Sequence, residues 1–190
     1  MAEYSIHTDT LRDAVGKLRA GDRVLLTGTV YTARDAAHKR LFELLDKGEA
    51  LPLPLDGSVI YYAGPTPGQQ GMAVGACGPT TAGRMNAFAP RLLDLGLTAI
   101  IGKGEMSADV QQAIIRNGAC YFAAVGGAGA LIARCIKTAQ AIAFDDLGCE
   151  SVKRMTVENL PLTVAMDCCG GNLYMSGREE YSRLLQPELR

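Results

Sequence analysis

Short apolar runs alternate with segments of helical periodicity along this chain, and that alternation limits the folds it can adopt. The apolar runs predict β-strands at residues 23–29, 58–63, 72–76, 98–102, 119–125, 138–144 and 162–166. Helices are predicted between them at residues 32–47, 90–95, 107–117 and 131–137. Strands that alternate with helices favour an α/β domain in which helices flank a sheet.

The predicted helix at residues 32–47 carries the clearest local signals. Thr32, followed three residues later by Asp35, resembles a capping box at the start of the helix. Gly48 is a typical residue at the end of one. The apolar side chains of this segment recur every three or four residues and form one stripe, which contains Ala37, Leu41, Leu44 and Leu45.

Length and composition predict one ordinary domain across residues 1–190. The chain is 48% hydrophobic and 21% charged, which is enough for a core. Its net charge of −1 and its lack of Trp argue against a nucleic-acid-binding protein. The longest apolar run, residues 119–125, is far shorter than the ~20 residues of a membrane span. We therefore expect a soluble cytoplasmic protein without a membrane or nucleic-acid partner.

The cysteines do not form a recognisable metal-binding motif. The chain has six of them, and no two have the C-x-x-C spacing of a metal or redox site. The only close pair, Cys168 and Cys169, is adjacent in the sequence. We interpret the cysteines as buried or incidental reduced thiols and predict no metal ligands in this chain.

Three polar loops each follow a predicted strand, where ligands of α/β proteins often bind. The first, TARDAAH at residues 32–38, places Arg34 in the opening turn of a helix, whose free N–H groups favour anions. A guanidinium can also hold a carboxylate with two hydrogen bonds. His38 lies on the same helix face. Alternatively, Arg34 and Asp35 form a solvated pair, and His38 is a surface or core residue.

The second and third loops add hydroxyl and cationic groups. In GPTTAGR, residues 78–84, an irregular glycine-rich backbone carries Thr80, Thr81 and Arg84. In GKGEMS, residues 102–107, Lys103 lies between two glycines directly after a strand. The alternatives are an ordinary loop with a surface arginine and a solvated lysine in a turn. If the three cationic side chains converge, the ligand is a small polyanion.

A fourth loop, VGGAGA at residues 125–130, resembles part of a dinucleotide-binding motif. It lacks the third glycine of G-x-G-x-x-G and comes late in the chain. We interpret it as a tight turn that packs a helix against a strand. A non-catalytic dinucleotide-binding module remains an alternative function for the chain.

Four segments closely resemble one enzyme family. They are TGTVYTARDAAHKRL, GPTTAGRMNAFAPRLLDLG, IGKG and YFAAVGGAGALIA. They resemble the β subunit of iron–sulfur hydro-lyases, the class I fumarases and L-tartrate dehydratases, and the resemblance extends over residues 11–174. It implies a swivelling β/β/α domain with a mixed sheet and flanking helices. It also implies that a four-iron four-sulfur cluster belongs to a separate α subunit, in a hetero-oligomer such as a heterotetramer.

The resemblance also implies roles for individual residues. Arg34 and Arg84 match arginines that bind substrate carboxylates, and Lys103 matches a lysine that contacts substrate. Thr80 matches a threonine proposed as the proton-abstracting base or its close partner, so Thr80 and Lys103 are the predicted catalytic residues. Thr81 and His38 have no role in the family pattern, and we predict that they support substrate binding.

Two departures from the family pattern leave the substrate open. Asn86 stands where many relatives have an aspartate, and the pair Cys168 and Cys169 interrupts a D-x-x-G-N pattern. Fumarate, hydrated reversibly to L-malate, is the first expectation, and L-tartrate is the alternative. A domain that binds dicarboxylates without converting them is the remaining possibility.

Overall fold

The computed structural model describes residues 1–185 of the chain. The strands are β1 (Glu3–His7), β2 (Arg23–Thr32), β3 (Val59–Tyr61), β4 (Ala99–Gly102), β5 (Cys120–Ala123), β6 (Ile136–Ala143) and β7 (Val152–Met166). The α-helices are α1 (Leu11–Val15), α2 (Asp35–Lys47), α3 (Ala89–Asp94), α4 (Ala108–Asn117), α5 (Gly129–Cys135) and α6 (Leu173–Leu185). Three 3₁₀ segments, Thr8–Thr10, Ala82–Met85 and Asp145–Glu150, connect them.

The sheet has a parallel part and an antiparallel part. Strands β2, β3, β4 and β5 lie side by side and parallel, and β1 pairs parallel with the first half of β2. The long strand β7 is antiparallel to β2 along one edge and to β5 and β6 along the other. These pairings close β2, β3, β4, β5 and β7 into a ring. The helices α2, α3 and α4 lie outside it.

Alternate residues of the short parallel strands point into two separate cores, because successive side chains of a strand lie on opposite faces. In β3, Val59 and Tyr61 join a core that β7 closes with Met155, whereas Ile60 joins a second core. This second core also contains Leu41 of α2 and apolar side chains of α3 and α4. The chain is thus layered as sheet, sheet and helices. The predicted α/β domain with a mixed sheet and flanking helices is confirmed.

The start of α2 differs from the prediction. The helix begins at Asp35 with Arg34 as its N-cap residue, not at Thr32. The Thr32 hydroxyl donates to the Ser151 carbonyl and accepts from the Lys153 N–H, so it ends β2 against the neighbouring strand. Gly48 ends the helix as predicted, with a φ of +70° that suits glycine.

The predicted strand at residues 72–76 is absent, which is the second correction. This segment folds back on Thr66 and Pro67 in a short irregular arm: Thr66 N–H donates to the Ala76 carbonyl, and Gly75 N–H donates to that of Thr66. Only one bridge, between Pro67 and Val74, has strand-like pairing. The proline and glycines of the segment interrupt a regular ladder. The arm connects β3 to the loop at residues 78–84.

None of the helices within residues 1–185 is long and apolar enough to cross a membrane.

Candidate functional site

The loops that follow β3 and β4 join at the carboxyl ends of the parallel strands. Thr80 N–H donates to the Tyr62 carbonyl at 2.6 Å, and Lys103 N–H donates to the Thr80 carbonyl at 3.1 Å. Ala82 N–H in turn donates to the Lys103 carbonyl at 2.8 Å. Thr81 and Lys103 therefore form a parallel bridge beyond the end of the sheet. The backbone of both predicted catalytic residues, Thr80 and Lys103, is fixed by one small ladder.

This close approach favours glycine at position 102, and the loop that contains Gly126 also lies close to it. A Cβ on Gly102 would lie 3.0 Å from the Ala82 Cβ and 3.3 Å from the Tyr62 ring, so a side chain would push the two loops apart. A Cβ on Gly126 would lie 3.4 Å from Cδ of Lys103. The loop after β5 therefore lies against the lysine side chain. Lys103 itself is exposed and makes no ion pair within residues 1–185.

Arg34 projects from the end of β2 towards the same edge of the sheet. Its backbone is extended at the helix N-cap, and its guanidinium lies beside Gly64, where a Cβ would be 2.9 Å from Nη1. Its Nη2 lies 3.2 Å from Oε1 of Glu150, and both side chains are about a quarter exposed, at 23% and 24%. Arg34 thus pairs with a carboxylate far away in the sequence and not with its neighbour Asp35.

Arg84 makes the ion pair that links the first loop to the second. It lies in the 3₁₀ segment Ala82–Met85, and its Nε donates to Oδ1 of Asp35 at 3.0 Å. Its Nη2 lies 2.9 Å from Oδ2 of the same carboxylate. The hydrogen bond from Nε, with a second ionic contact from Nη2, holds the Arg84 guanidinium against the Asp35 carboxylate. About half of the Arg84 side chain remains exposed, at 51%.

His38 lies beneath Arg34 and has no exposed surface. Its Nδ1 is 2.8 Å from the Arg34 carbonyl, and because a carbonyl only accepts, Nδ1 carries the proton. The ring stacks on Phe88 and meets Tyr62 edge-on, with centroids 5.4 and 5.3 Å away. Burial lowers the pKa of His38 to about 4. The histidine is therefore neutral near pH 7, and its Nδ1–H holds the Arg34 carbonyl.

The predicted site residues form two neighbouring groups. Thr80, Thr81 and Lys103 share the ladder beyond β3 and β4, while Arg34 and Arg84 lie at the start of α2. The two groups adjoin because Ala63, one residue before Gly64, bridges Pro79. Thr81 is exposed and Thr80 is half-buried, so both hydroxyls lie at or near the surface of this edge.

Three residues that contact the predicted site residues were missed in the sequence analysis. Asp35 was considered as a capping-box residue and as a partner of Arg34, whereas in the structure it holds Arg84. Gly64 had no motif that marked it. Glu150 belongs to a segment 114 positions from its hydrogen-bond partner Ala36. No local pattern in the sequence links residues that far apart.

A family model now identifies the chain. The model for the fumarase C-terminus matches residues 2–177. The chain belongs to this family. The resemblance inferred from its four segments is thereby confirmed.

Relatives within the fumarase family differ in length. The putative L(+)-tartrate dehydratase subunit beta of Methanocaldococcus jannaschii is 40% identical over 178 residues, which cover 90% of this chain and 91% of that protein. Fumarate hydratase 2 of Leishmania major is 38% identical over 168 residues, 87% of this chain and 30% of that protein. The aerobic class I fumarate hydratase of Escherichia coli is 36% identical over 154 residues, which cover 80% of this chain and 28% of that protein. This chain thus spans less than a third of the two fumarate hydratases.

Two of the six cysteines, Cys77 and Cys120, are buried in the apolar core. Within residues 1–185, no group of three or more Cys, His, Asp or Glu side chains could hold a metal ion. Cys77 and Cys120 are fully buried, and burial raises the pKa of the Cys77 thiol to about 12 and that of Cys120 well above its usual value. Buried thiols of this kind resist the deprotonation that a metal ligand requires.

Proposed function

We propose that this chain is the dicarboxylate-binding β subunit of a two-subunit hydro-lyase, with reversible hydration of fumarate to L-malate as its reaction. One observation carries the proposal: Arg34, Arg84 and Lys103 project from neighbouring loops at one edge of the sheet, in a chain of this family with a net charge of −1. Cations that gather on a nearly neutral chain suit a small polyanion.

In this proposal Arg34, Arg84 and Lys103 each contact a different part of the substrate. Arg34 and Arg84 contact carboxylate oxygens through their planar guanidinium groups, and Lys103 supplies a compact charge beside Thr81. Asp35 fixes the direction of Arg84, and His38 holds the backbone of Arg34. His38 then acts as a positioning residue, whereas Thr81 contacts the ligand from the exposed end of the ladder.

Thr80 is the proposed proton-transfer residue. Its backbone is held on both sides, by Tyr62 and by Lys103, so the point from which its side chain projects is fixed. A threonine hydroxyl is a weak base in water, and a nearby positive charge favours its deprotonated form. Lys103 is the nearest such charge along the ladder.

A separate α subunit completes the enzyme in this proposal, as in a heterotetramer. The support for this subunit is the name of one relative, a putative subunit beta that is 40% identical to this chain over 91% of its own length. The resemblance assigns a four-iron four-sulfur cluster to that subunit, where it would supply Lewis-acid chemistry. The residues of this chain bind and orient the substrate.

L-tartrate is the second candidate substrate. It is favoured by the 40% identity to the putative L(+)-tartrate dehydratase subunit beta, which extends over nearly the full length of both chains. Tartrate carries one more hydroxyl than malate, and a site that hydrogen-bonds this group can discriminate strongly. Assays with both substrates decide between them.

The arginines provide the test. Arg34→Lys and Arg84→Lys keep the charge but lose the planar guanidinium that can donate two hydrogen bonds to a carboxylate. This loss should lower kcat/KM by roughly one to two decades when the α subunit is present. Arg116→Lys is the matched control, because Arg116 also holds a carboxylate with two contacts, to Asp94, on another part of the surface. Wild-type kinetics for both site variants would remove Arg34 and Arg84 from the site.

A further inference from the structure

The carboxylate of Glu150 occupies the position at which the start of α2 attracts an anion. One of its oxygens lies 3.2 Å from Nη2 of Arg34, and the other accepts from the Ala36 N–H at 3.4 Å. Ala36 belongs to the first turn of α2, whose N–H groups have no partner within the helix. A carboxylate of the chain itself therefore sits where Arg34 and the helix N-terminus would hold a carboxylate of a ligand.

The contacts of Glu150 are looser than those of Asp35. Arg84 donates one hydrogen bond to Asp35 at 3.0 Å, and its Nη2 makes a second, ionic contact with the same carboxylate at 2.9 Å. Glu150 makes one contact to Arg34, and its hydrogen bond to Ala36 is long. Arg84 has a charge-assisted hydrogen bond and a second ionic contact to its carboxylate, whereas Arg34 has one ionic contact, so Arg84 keeps its partner more firmly. Arg34 is the arginine that can exchange one carboxylate for another.

The backbone beside Glu150 is fixed, so such an exchange needs only a side-chain rotation. Ser151 Oγ and Lys153 Nζ each donate to the Gly148 carbonyl at 2.9 Å. Lys153 Nζ also donates to Ser151 Oγ at 2.6 Å. The Glu150 side chain is 24% exposed and can therefore turn towards solvent while this segment stays in place.

We propose that Glu150 is a resident carboxylate that the substrate replaces on Arg34, and that it thereby sets the affinity of the site for dicarboxylates. This inference rests on the proposed function, because it requires that Arg34 bind substrate. A ligand must compete with Glu150 for the guanidinium, so it binds more weakly than it would to a free Arg34. Removing the charge of Glu150 removes the competitor.

Glu150→Gln is the direct test, since glutamine keeps the shape of the side chain and loses its charge. The dissociation constants of fumarate and L-malate, measured calorimetrically with the full chain alone and assembled with its α subunit, should fall roughly two- to tenfold. Asp146→Asn is the matched control. Asp146 lies in the same 3₁₀ segment and pairs with Arg40, also in α2, and this variant should leave both constants unchanged.

Two further variants separate this inference from the proposed function. Arg34→Lys and Lys103→Met should both weaken dicarboxylate binding. If they do so while Glu150→Gln binds as the wild type does or more weakly, Glu150 is not a competitor, and only the present inference is overturned. If neither the wild type nor Glu150→Gln binds any dicarboxylate in either preparation, the inference and the proposed function are both overturned.

Discussion

At the scale of single residues, burial decides what His38 can do. The sequence placed it on the face of Arg34, one helical turn away, which is correct. It did not reveal that Phe88 and Tyr62 enclose the ring. Phe88 is fifty positions from His38 in the sequence, and Tyr62 is on another strand end, so no helical pattern could bring them together. The neutral, enclosed imidazole is a consequence of tertiary packing.

The pKa of His38 makes stability depend on pH. Folding lowers this pKa from 6.5 to about 4, so the unfolded chain binds the proton first as the pH falls. The free energy of unfolding should therefore be highest above about pH 6.5 and fall by about 3 kcal/mol as the pH drops to about 4. His38→Asn keeps an N–H for the Arg34 carbonyl and removes the titration. Denaturant unfolding of both proteins across this range should show the wild type losing stability relative to the variant; parallel curves would mean that His38 titrates normally.

The Thr80 hydroxyl gives a second residue-scale prediction. Thr80→Val keeps the shape of the side chain and its backbone ladder but removes the hydroxyl. If Thr80 transfers a proton, kcat should fall ~10²–10⁴-fold with little change in KM. Thr81→Val, on the exposed neighbour, should affect KM more than kcat. Steady-state kinetics with the α subunit measure both, and a rise in KM alone for Thr80→Val would place the base elsewhere.

At the scale of elements, the sequence predicted that the three polar loops follow apolar strands, but not all of the residues that the structure brings together beside them. The three loops were located because each follows an apolar strand, and parallel strands bring their carboxyl ends to one edge. The start of α2 was misplaced, because the Thr32 hydroxyl bonds to Ser151 and Lys153 of a distant segment. The same distant segment supplies Glu150. Its contribution depends on tertiary packing that no local motif records.

Adding one methyl group to the loop after β3 tests whether the position of the Arg34 guanidinium matters for binding. In Gly64→Ala the new Cβ would lie 2.9 Å from Nη1 of Arg34 and 3.3 Å from the Cys149 carbonyl, so the guanidinium must move. Because the Arg34 guanidinium would then lose its contact with substrate, the dissociation constant of fumarate should rise about 10- to 100-fold.

Gly16→Ala is the control for this substitution. Gly16 has a helical backbone at the end of α1, and its added Cβ would meet no atom within 4 Å. It should bind fumarate as the wild type does. Equal binding by Gly64→Ala would show that the position of Arg34 does not matter for the ligand.

At the scale of the whole molecule, closure of the sheet was the least predictable feature. The sequence indicated a strand only at residues 162–166, whereas β7 covers Val152–Met166. Asn159, with a φ of +51°, and Pro161, which lacks an N–H, interrupt the apolar alternation that marks a strand. β7 nevertheless pairs with β2, β5 and β6, and it closes the ring of strands because it connects β2 to β5. The α/β layering itself followed from the alternation of strands and helices.

In the proposed function, this chain binds the substrate but depends on a partner for catalysis. The most direct measurement compares fumarate hydration, L-tartrate dehydration and iron–sulfur absorbance for the purified chain, its α subunit and their mixture, after anaerobic reconstitution with iron and sulfide. We expect neither activity nor cluster absorbance from the chain alone, and activity with one of the two substrates from the mixture, which should run as a hetero-oligomer. A purified chain that holds a full cluster, or that hydrates fumarate or dehydrates tartrate unaided, would contradict the account.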